Sequence, residues 1–470
     1  DEAIEGFKKA ITIAPNKTET YNNMGIALRR QGKLKEAADA YKKAISLKPD
    51  YAEAHNNIGV IFRDVGKLEE SIVSFKRSIS LEPYNANFYN NMGISLQYQG
   101  KLDQAIDAYY KSISYKPDYA YAFNNLAGCL KEQGNFQNAL NIYDKALSIK
   151  PDYSEAIWNS SLIYNLKGNL EKGLKLYEWR LKKKSPNARL PRDHLIWDGI
   201  KPISGKRFFV YEEQGLGDKI QFCRYLLLLK QKGAEVTFRV KRKMHALLQT
   251  LDSNIALVES DPDEKDIDFE APLMSLPYLF NTNLDTIPSS QSYLLANHNK
   301  VISWGKRLPK PTFKIGICWQ GDTSQSAIGR SFPLSLFENI SKLSNVELIS
   351  LHKGEGEKQI KVIKFDLTTF GNDFDSGENS FIDTAAVMMN CDLIISCDTS
   401  IAHLAGALGC PIWVALKKIP EWRWMLDRTD SPWYPNMRLY RQKEFDDWQH
   451  VFETMKNDLT TLIKQEKRMK

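Results

Sequence analysis

The pattern of apolar and polar positions changes its period once along this chain, and the change divides it. Up to about Lys184 the pattern returns every 34 residues. A proline keeps that step at Pro15, Pro49, Pro83, Pro117 and Pro151, and a glycine at Gly32, Gly66, Gly100, Gly134 and Gly168. An aromatic keeps it at Tyr41, Phe75, Tyr109, Tyr143 and Tyr177. A small residue keeps it at Gly25, Gly59, Gly93, Ala127 and Ser161, where the two helices of a unit must approach closely. Columns in phase over this length predict helix–turn–helix units stacked on one another, each burying one face only against its neighbours.

A 34-residue helix–turn–helix period is the signature of tetratricopeptide repeats. Such a stack curls into a superhelix, and the first helix of each unit lines its concave wall. One column there is polar: Asn23, Asn57, Asn91, Asn125 and Asn159. An asparagine carries donor and acceptor on a short arm, so a ladder of them suits the main chain of an extended peptide. The same residues also suit bonds within the stack, and both readings stay open. The array resembles that of the eukaryotic O-linked N-acetylglucosamine transferases, which read acceptor proteins through such a ladder. That resemblance covers the repeats alone.

From Phe208 the period shortens and strand-like runs alternate with helical ones. The runs Phe208–Tyr211, Glu235–Val240 and Ala256–Glu259 read as strands, with helices at about Asp218–Lys232 and Met244–Leu251. A stretch rich in Pro, Asn and Ser (Ala271–Asn299) reads as irregular. The alternation then restarts with strands at Lys314–Gln320, Glu347–His352, Asp392–Cys397 and Pro411–Leu416. Helices are expected at Pro333–Leu343, Ile382–Met389, Ile401–Leu408 and Asp446–Gln465. Two successive blocks of this kind predict two doubly wound parallel sheets, an α/β region behind an all-α one. Between the carboxyl ends of two such sheets a ligand cleft is expected.

Three strand-to-helix loops carry candidate chemistry. The first, Glu212-Glu213-Gln214-Gly215-Leu216-Gly217-Asp218, combines two glycines for close backbone approach with a carboxylate at a helix start. Asp218 reads as a helix cap or, at the mouth of a cleft, as a base that takes a proton from an acceptor. The second runs from Cys318-Trp319-Gln320-Gly321-Asp322 to Arg330-Ser331-Phe332-Pro333, and its arginine suits an anion or a structural role equally. The third is Asp398-Thr399-Ser400 followed by the helical run Ile401–Leu408. Hydroxyls at a helix start, beside free N–H groups and the positive end of the dipole, form a pocket for a diphosphate. His403 stands on the first turn, where its ring is expected to reach the same anion. Glu355 and Glu357 are weaker candidates for ribose hydroxyls.

From about Gly205 onward, the Leu216-Gly217-Asp218 loop and the run Asp398-Thr399-Ser400-Ile401-Ala402-His403-Leu404-Ala405-Gly406-Ala407-Leu408 resemble the bacterial heptosyltransferases, inverting glycosyltransferases of the two-lobed GT-B fold. The resemblance implies Asp218 as general base. It also implies Asp398, Thr399, Ser400 and His403 on the donor diphosphate, with Arg330 and Ser331 beside them. Gln214, Gly215, Gly217 and Gly321 would supply loop backbone near acceptor and donor. It implies a nucleotide-diphosphate sugar as co-substrate, no cofactor and no metal. The layout as a whole resembles bacterial tetratricopeptide proteins with a heptosyltransferase-like tail, so donor and acceptor do not carry over from the lipopolysaccharide enzymes. An acceptor protein on the repeats is the expected partner. A non-catalytic scaffold with a nucleotide-binding or vestigial tail is the alternative, and a transferase acting on a glycan is another.

The expected division is a repeat array over 1–185, an acceptor lobe over 186–305, a donor lobe over 306–445 and a closing helix over 446–470. At 470 residues, core burial is not in question. A balance of 64 basic to 57 acidic residues, net +7, permits an anionic ligand. No arginine-rich or aromatic-interleaved basic stripe supports nucleic acid. Six cysteines without CxxC spacing fit reduced, buried thiols in a cytoplasmic protein. No apolar run reaches transmembrane length. The chain opens within the second helix of a repeat, so further repeats upstream are expected, and self-association through the repeats is left open.

Overall fold

The computed structural model describes residues 2–183, 189, 191–289, 291–309, 313–322, 328–377 and 379–469, the side chains of 466–469 apart. It forms two compact units, Asp1–Ile163 and Tyr164–Lys470.

The first unit is all helix. Helices Thr18–Arg30, Ala52–Asp64, Ala86–Tyr98 and Ala120–Glu132 alternate with Leu34–Leu47, Leu68–Leu81, Leu102–Tyr115 and Phe136–Ile149. Each turn glycine follows the first helix of a pair at positive φ, 75° at Gly32, 79° at Gly66, 77° at Gly100 and 83° at Gly134. Only glycine takes that conformation without strain, so the column is a backbone requirement. The small-residue column meets the aromatic column directly. A Cβ on Gly25 would stand 2.6 Å from the Tyr41 ring, on Gly59 2.9 Å from Phe75, and on Gly93 2.6 Å from Tyr109. Tyr41, Phe75 and Tyr109 are fully buried in that close contact.

The second unit holds two parallel sheets. In the first, β1 (Arg207–Tyr211), β2 (Glu235–Arg239), β3 (Ala256–Val258) and β4 (Phe269–Pro272) lie in the order β3-β2-β1-β4. In the second, β5 (Phe313–Cys318), β6 (Val346–Ser350), β7 (Leu393–Cys397), β8 (Ile412–Leu416) and β9 (Met437–Arg441) lie in the order β6-β5-β7-β8-β9. Every pairing is parallel. In each sheet the chain starts inside and winds out both ways, so the order reverses between β1 and β4 and between β5 and β7. Those are the switch points at which ligands bind in this architecture. The loops after β1, β5 and β7 are the three singled out above. β7 and β8 are buried along their whole length, as strands covered on both faces must be.

Several expectations are corrected. The helix expected from Asp218 to Lys232 begins at Leu216 and is interrupted at Cys223, giving Leu216–Phe222 and Arg224–Gln231. The segment read as a helix over Pro333–Leu343 is a short 3-10 turn, Leu334–Phe337, and one turn of helix, Glu338–Ser341. β4 starts just before the stretch read as irregular, and β9 carries arginines that break its apolar run. The division between the two compact units falls within helix Ser154–Leu166. The last repeat helix, Leu170–Tyr177, belongs with the sheets because Gln214 Nε2 donates to Tyr177 Oη at 2.7 Å and Arg180 holds both Glu213 oxygens at 3.2 and 2.8 Å. The two expected lobes and the closing helix, Trp448–Met469, also lie in this one unit. Phe452 of that helix packs edge-on against Phe332 and Phe337.

The glycine column gives a two-sided test. Gly93→Ala should destabilise the chain by about 1–3 kcal/mol, the cost of overpacking. Gly128→Ala, in the helix of the next repeat with no atom nearer than 3.8 Å, should stabilise it by about 0.4–1 kcal/mol. Denaturant unfolding of both variants checks the opposite signs.

Candidate functional site

The carboxyl ends of β1, β5 and β7 converge on one corner of the second unit. Helix Leu216–Phe222, entered from β1, packs on helix Ser400–Leu408, entered from β7. Two glycines allow the approach: a Cβ on Gly217 would stand 2.8 Å from the His403 ring, and one on Gly321 2.6 Å from Thr399 Cγ2. Gly215 is the N-cap of helix Leu216–Phe222. Gln214 takes positive φ (56°), and its amide reaches Tyr177 instead of the corner.

Asp218 is the third residue of that helix. Its Oδ2 accepts from the Gly215 N–H at 2.8 Å, and its Oδ1 forms a short ion pair with Arg423 Nη2. The helix cap is therefore real, yet it uses one oxygen only. Burial pushes the Asp218 carboxyl above the usual aspartate value, with Arg423 and the Gly215 N–H opposing. Glu421 completes the link, accepting from the Arg423 backbone N–H at 2.9 Å and pairing with Nη1 at 2.5 Å.

Thr399 caps helix Ser400–Leu408, its Oγ1 accepting from Ile401 N at 3.3 Å. Arg330 Nε lies 3.7 Å from the buried Asp398 Oδ2, an ion pair too long for a hydrogen bond. Ser331 Oγ accepts from Gly321 N at 3.2 Å, which folds the second loop back on itself. Residues 323–327 of that loop lie outside the described residues. Burial raises the Asp398 carboxyl, with Arg330 opposing.

His403 stands on the first turn of helix Ser400–Leu408. Its Nδ1 is 3.0 Å from Tyr434 Oη, and its ring stacks on Trp424 at 5.1 Å. Burial, then Arg423, Arg224 and Arg330, hold the imidazole well below its usual value, so it is neutral at pH 7. It acts as a floor under Gly217. Glu357 caps a local turn through Gly354 N at 2.6 Å, the Glu355 backbone carbonyl contacts His352, and both glutamates are exposed.

Sequence reasoning missed two features. Arg423 stands in a segment noted for its tryptophans, and its link to Asp218 spans 205 positions. Three buried polar atoms at the corner, Asp398 Oδ2, Arg423 Nε and Trp424 Nε1, have no hydrogen-bond partner among the described residues. Trp424 also interacts with the Asp398 carboxyl and lowers it, so Arg423 Nε is the atom of the three left without any partner among the described residues. The second missed feature is Cys318, whose Sγ lies 3.7 Å from His352 Nδ1 and 4.0 Å from Thr399 Oγ1. Its contact with Cys397 and, against burial, that with His352 bring the Cys318 thiol down to about 5. Burial works against the His352 imidazolium, yet the Cys318 sulfur raises it above the usual value.

On the first unit the asparagine column is engaged within the stack. Asn57, Asn91, Asn125 and Asn159 donate through Nδ2 to the asparagine just before the column in the preceding repeat, at 2.9–3.0 Å (Asn22, Asn56, Asn90 and Asn124). Asn56 and Asn124 in turn donate to Asn57 and Asn125 at 3.3 and 3.2 Å. Each amide has two N–H groups and two lone pairs, so Asn57 and Asn125 keep one of each beyond the rail. Asn23 is exposed. A cavity of about 230 Å³ beside Asn57 is lined by Ile26, Arg29, Arg30 and Tyr41.

Models of the tetratricopeptide repeat match residues 27–64, 52–85 and 84–152, and the first unit is built of such repeats. The protein FlbA of Caulobacter vibrioides is 24% identical over 295 residues, 56% of this chain and 48% of that protein. The chain thus spans about half the length of this relative. The aligned stretch is longer than the first unit, which ends at Ile163, so the likeness extends into the second. Among solved structures, YrrB, described as a TPR protein with an unusual peptide-binding site, is 21% identical with a TM-score of 0.31, over 38% of this chain and 92% of that one. MamA is 28% identical with a TM-score of 0.31, over 37% and 98%. Among the described residues no helix is long and apolar enough to cross a membrane, and no group of three or more His, Cys, Asp or Glu is placed to hold a metal ion.

Burial raises the other five cysteines, Cys397 also through its contact with Cys318, so any thiolate signal near neutrality belongs to Cys318. Its ultraviolet thiolate absorbance should persist at pH 7 and vanish as the pH falls through about 5. His352→Gln should move that loss to higher pH. An unchanged titration would separate His352 from the thiolate.

Proposed function

We propose that the second unit is an inverting glycosyltransferase of the GT-B type, using a nucleotide-diphosphate sugar, and that the repeats present its acceptor, a protein or peptide. One observation carries the reading. The carboxylate that follows β1, the helix start that follows β7 and two arginines, Arg330 and Arg423, meet in one buried corner at both switch points. Asp218 takes the proton of the acceptor nucleophile, which attacks the anomeric carbon while the bond to the diphosphate breaks. The departing diphosphate is met by the free N–H groups at Ser400 and by the hydroxyl of Thr399, with the arginines beside them. Donors fixed where negative charge develops favour the transition state over the ground state. His403, neutral and stacked, holds Gly217 in place rather than touching phosphate.

The unfilled valences of Asn57 and Asn125 leave one donor and one acceptor per residue, which matches one peptide unit of an extended chain. A second reading is favoured by the engagement of both Asp218 oxygens: the corner binds a nucleotide and transfers nothing, and the chain acts as a scaffold.

Asp218→Asn should fold, bind nucleotide and lose transfer by ~2–4 powers of ten, the range for removal of a general base. Incubation with a panel of nucleotide sugars and host proteins, read by mass spectrometry of added hexose, deoxyhexose or heptose, checks this. Transfer unchanged in the variant removes Asp218 from the role, and no transfer by the wild type supports the scaffold. Changing Asn57, Asn91 and Asn125 together to Ala should abolish modification of a protein acceptor while leaving donor hydrolysis intact.

A further inference from the structure

Three arginines of this unit fill the side-on edge of the guanidinium, whereas Arg441 leaves a buried Nε without a partner among the described residues. Arg180, Arg207 and Arg428 each present Nε and Nη2 to a single carboxylate and bind both its oxygens: Glu213 at 3.2 and 2.8 Å, Asp268 at 3.3 and 3.1 Å, and Asp430 at 2.9 and 2.6 Å. This side-on fork is the strong, bidentate mode of the residue. Arg423 departs from it. Its Nη2 pairs with Asp218 Oδ1, but its Nε is buried without a partner among the described residues. Asp218 cannot fill both places because its Oδ2 is held by the Gly215 N–H. The fork is half occupied, and the side chain carrying it is only 7% exposed.

We propose that Arg423 is a positioning residue that couples the anion corner to Asp218: a phosphate group takes both Nε and Nη2 of Arg423, displaces the Asp218 carboxylate and so releases the base only when the donor is seated. The inference rests on reading the corner as a diphosphate site. A phosphate offers two oxygens to the fork where Asp218 offers one. Glu421 keeps Nη1 and the backbone N–H throughout, so the guanidinium stays in place as its partner changes. Asp218 keeps its bond to Gly215, so the helix start survives the exchange.

The exchange carries a proton signature. Asp218 faces Arg423 and Glu421 from the segment after β8, Arg330 from the loop after β5 and Tyr177 from helix Leu170–Tyr177, with His403 of helix Ser400–Leu408 against the adjoining Gly217 and Glu212 and Lys219 paired on its own segment. Burial already favours its protonated form, and Arg423 is the main opposing charge. When Arg423 turns to phosphate, the carboxyl binds protons more readily and moves toward the range suited to a general base. Binding should therefore take up protons.

The test is calorimetry on the full chain with inorganic pyrophosphate and with uridine, guanosine and thymidine diphosphates, in buffers of differing ionisation heat. The wild type should bind with net proton uptake. Asp218→Asn should bind the same probe tighter, by roughly 5- to 150-fold, the usual range of coupling between two sites, and lose the uptake. Arg423→Lys should bind more weakly, since an ammonium has no two-donor edge. Tighter binding of one nucleoside diphosphate than of pyrophosphate identifies a nucleotide as the source of the phosphate. If Asp218→Asn binds no more tightly and exchanges the same protons as the wild type, the coupling is wrong while the phosphate site stands. If no probe binds the wild type, the site itself is wrong and the coupling falls with it. Should Arg423→Lys fail to fold, the Asp218→Asn comparison and the proton count decide alone.

Discussion

One buried ion pair, Asp218 with Arg423, joins the helix after β1 of the first parallel sheet to the segment after β8 of the second. Taking two charges out of water is costly, and removing one partner of such a pair usually costs about 3–5 kcal/mol. The arrangement persists because it is over-determined on the basic side. Glu421 grips Arg423 from within its own segment, and the Gly215 N–H fixes the far oxygen of Asp218. The remaining corner follows from that positive centre. His403 is kept neutral beside Arg423, Arg224 and Arg330, and as a neutral ring it can stack on Trp424.

A buried arginine whose best bonding edge is half empty gives little stability for its cost. The buried Asp398 carboxyl, raised by burial and met by Arg330 and Trp424, is a second costly group at the same corner. Such departures from local satisfaction are expected where a fold is built to meet a ligand, and they fall here at the two switch points together. Cys318 adds a further departure on the same rim. Its thiol is lowered by Cys397 and then by His352, and it lies beside the hydroxyl of Thr399 that caps helix Ser400–Leu408.

What could be read from the sequence follows from how local each constraint is. The turn glycines were legible because a positive φ at Gly32 or Gly66 is a demand of the backbone itself. The small and aromatic columns were legible because every repeat needs the same close approach, so Gly25 and Tyr41 recur in step. The loop with Asp218 and the helix with Thr399 were legible because glycines, a cap and a helix start are local marks. Arg423 was not, since its partner lies on the helix after β1 and nothing in Glu421-Trp422-Arg423-Trp424 announces it. The contacts of His403 were not legible for the same reason: Trp424 and Tyr434, which hold its ring and its Nδ1, lie far along the chain. The asparagine column was seen, but its partners in the neighbouring repeat, Asn22, Asn56 and Asn90, make sense only once the helices are stacked.

The most direct measurement is a crystal structure of the chain soaked with a nucleoside diphosphate. The account requires phosphate oxygens against the first N–H groups of helix Ser400–Leu408 and on Arg423 Nε and Nη2, with Asp218 turned off Arg423. A diphosphate bound elsewhere, or bound with the Asp218–Arg423 pair intact, would contradict it.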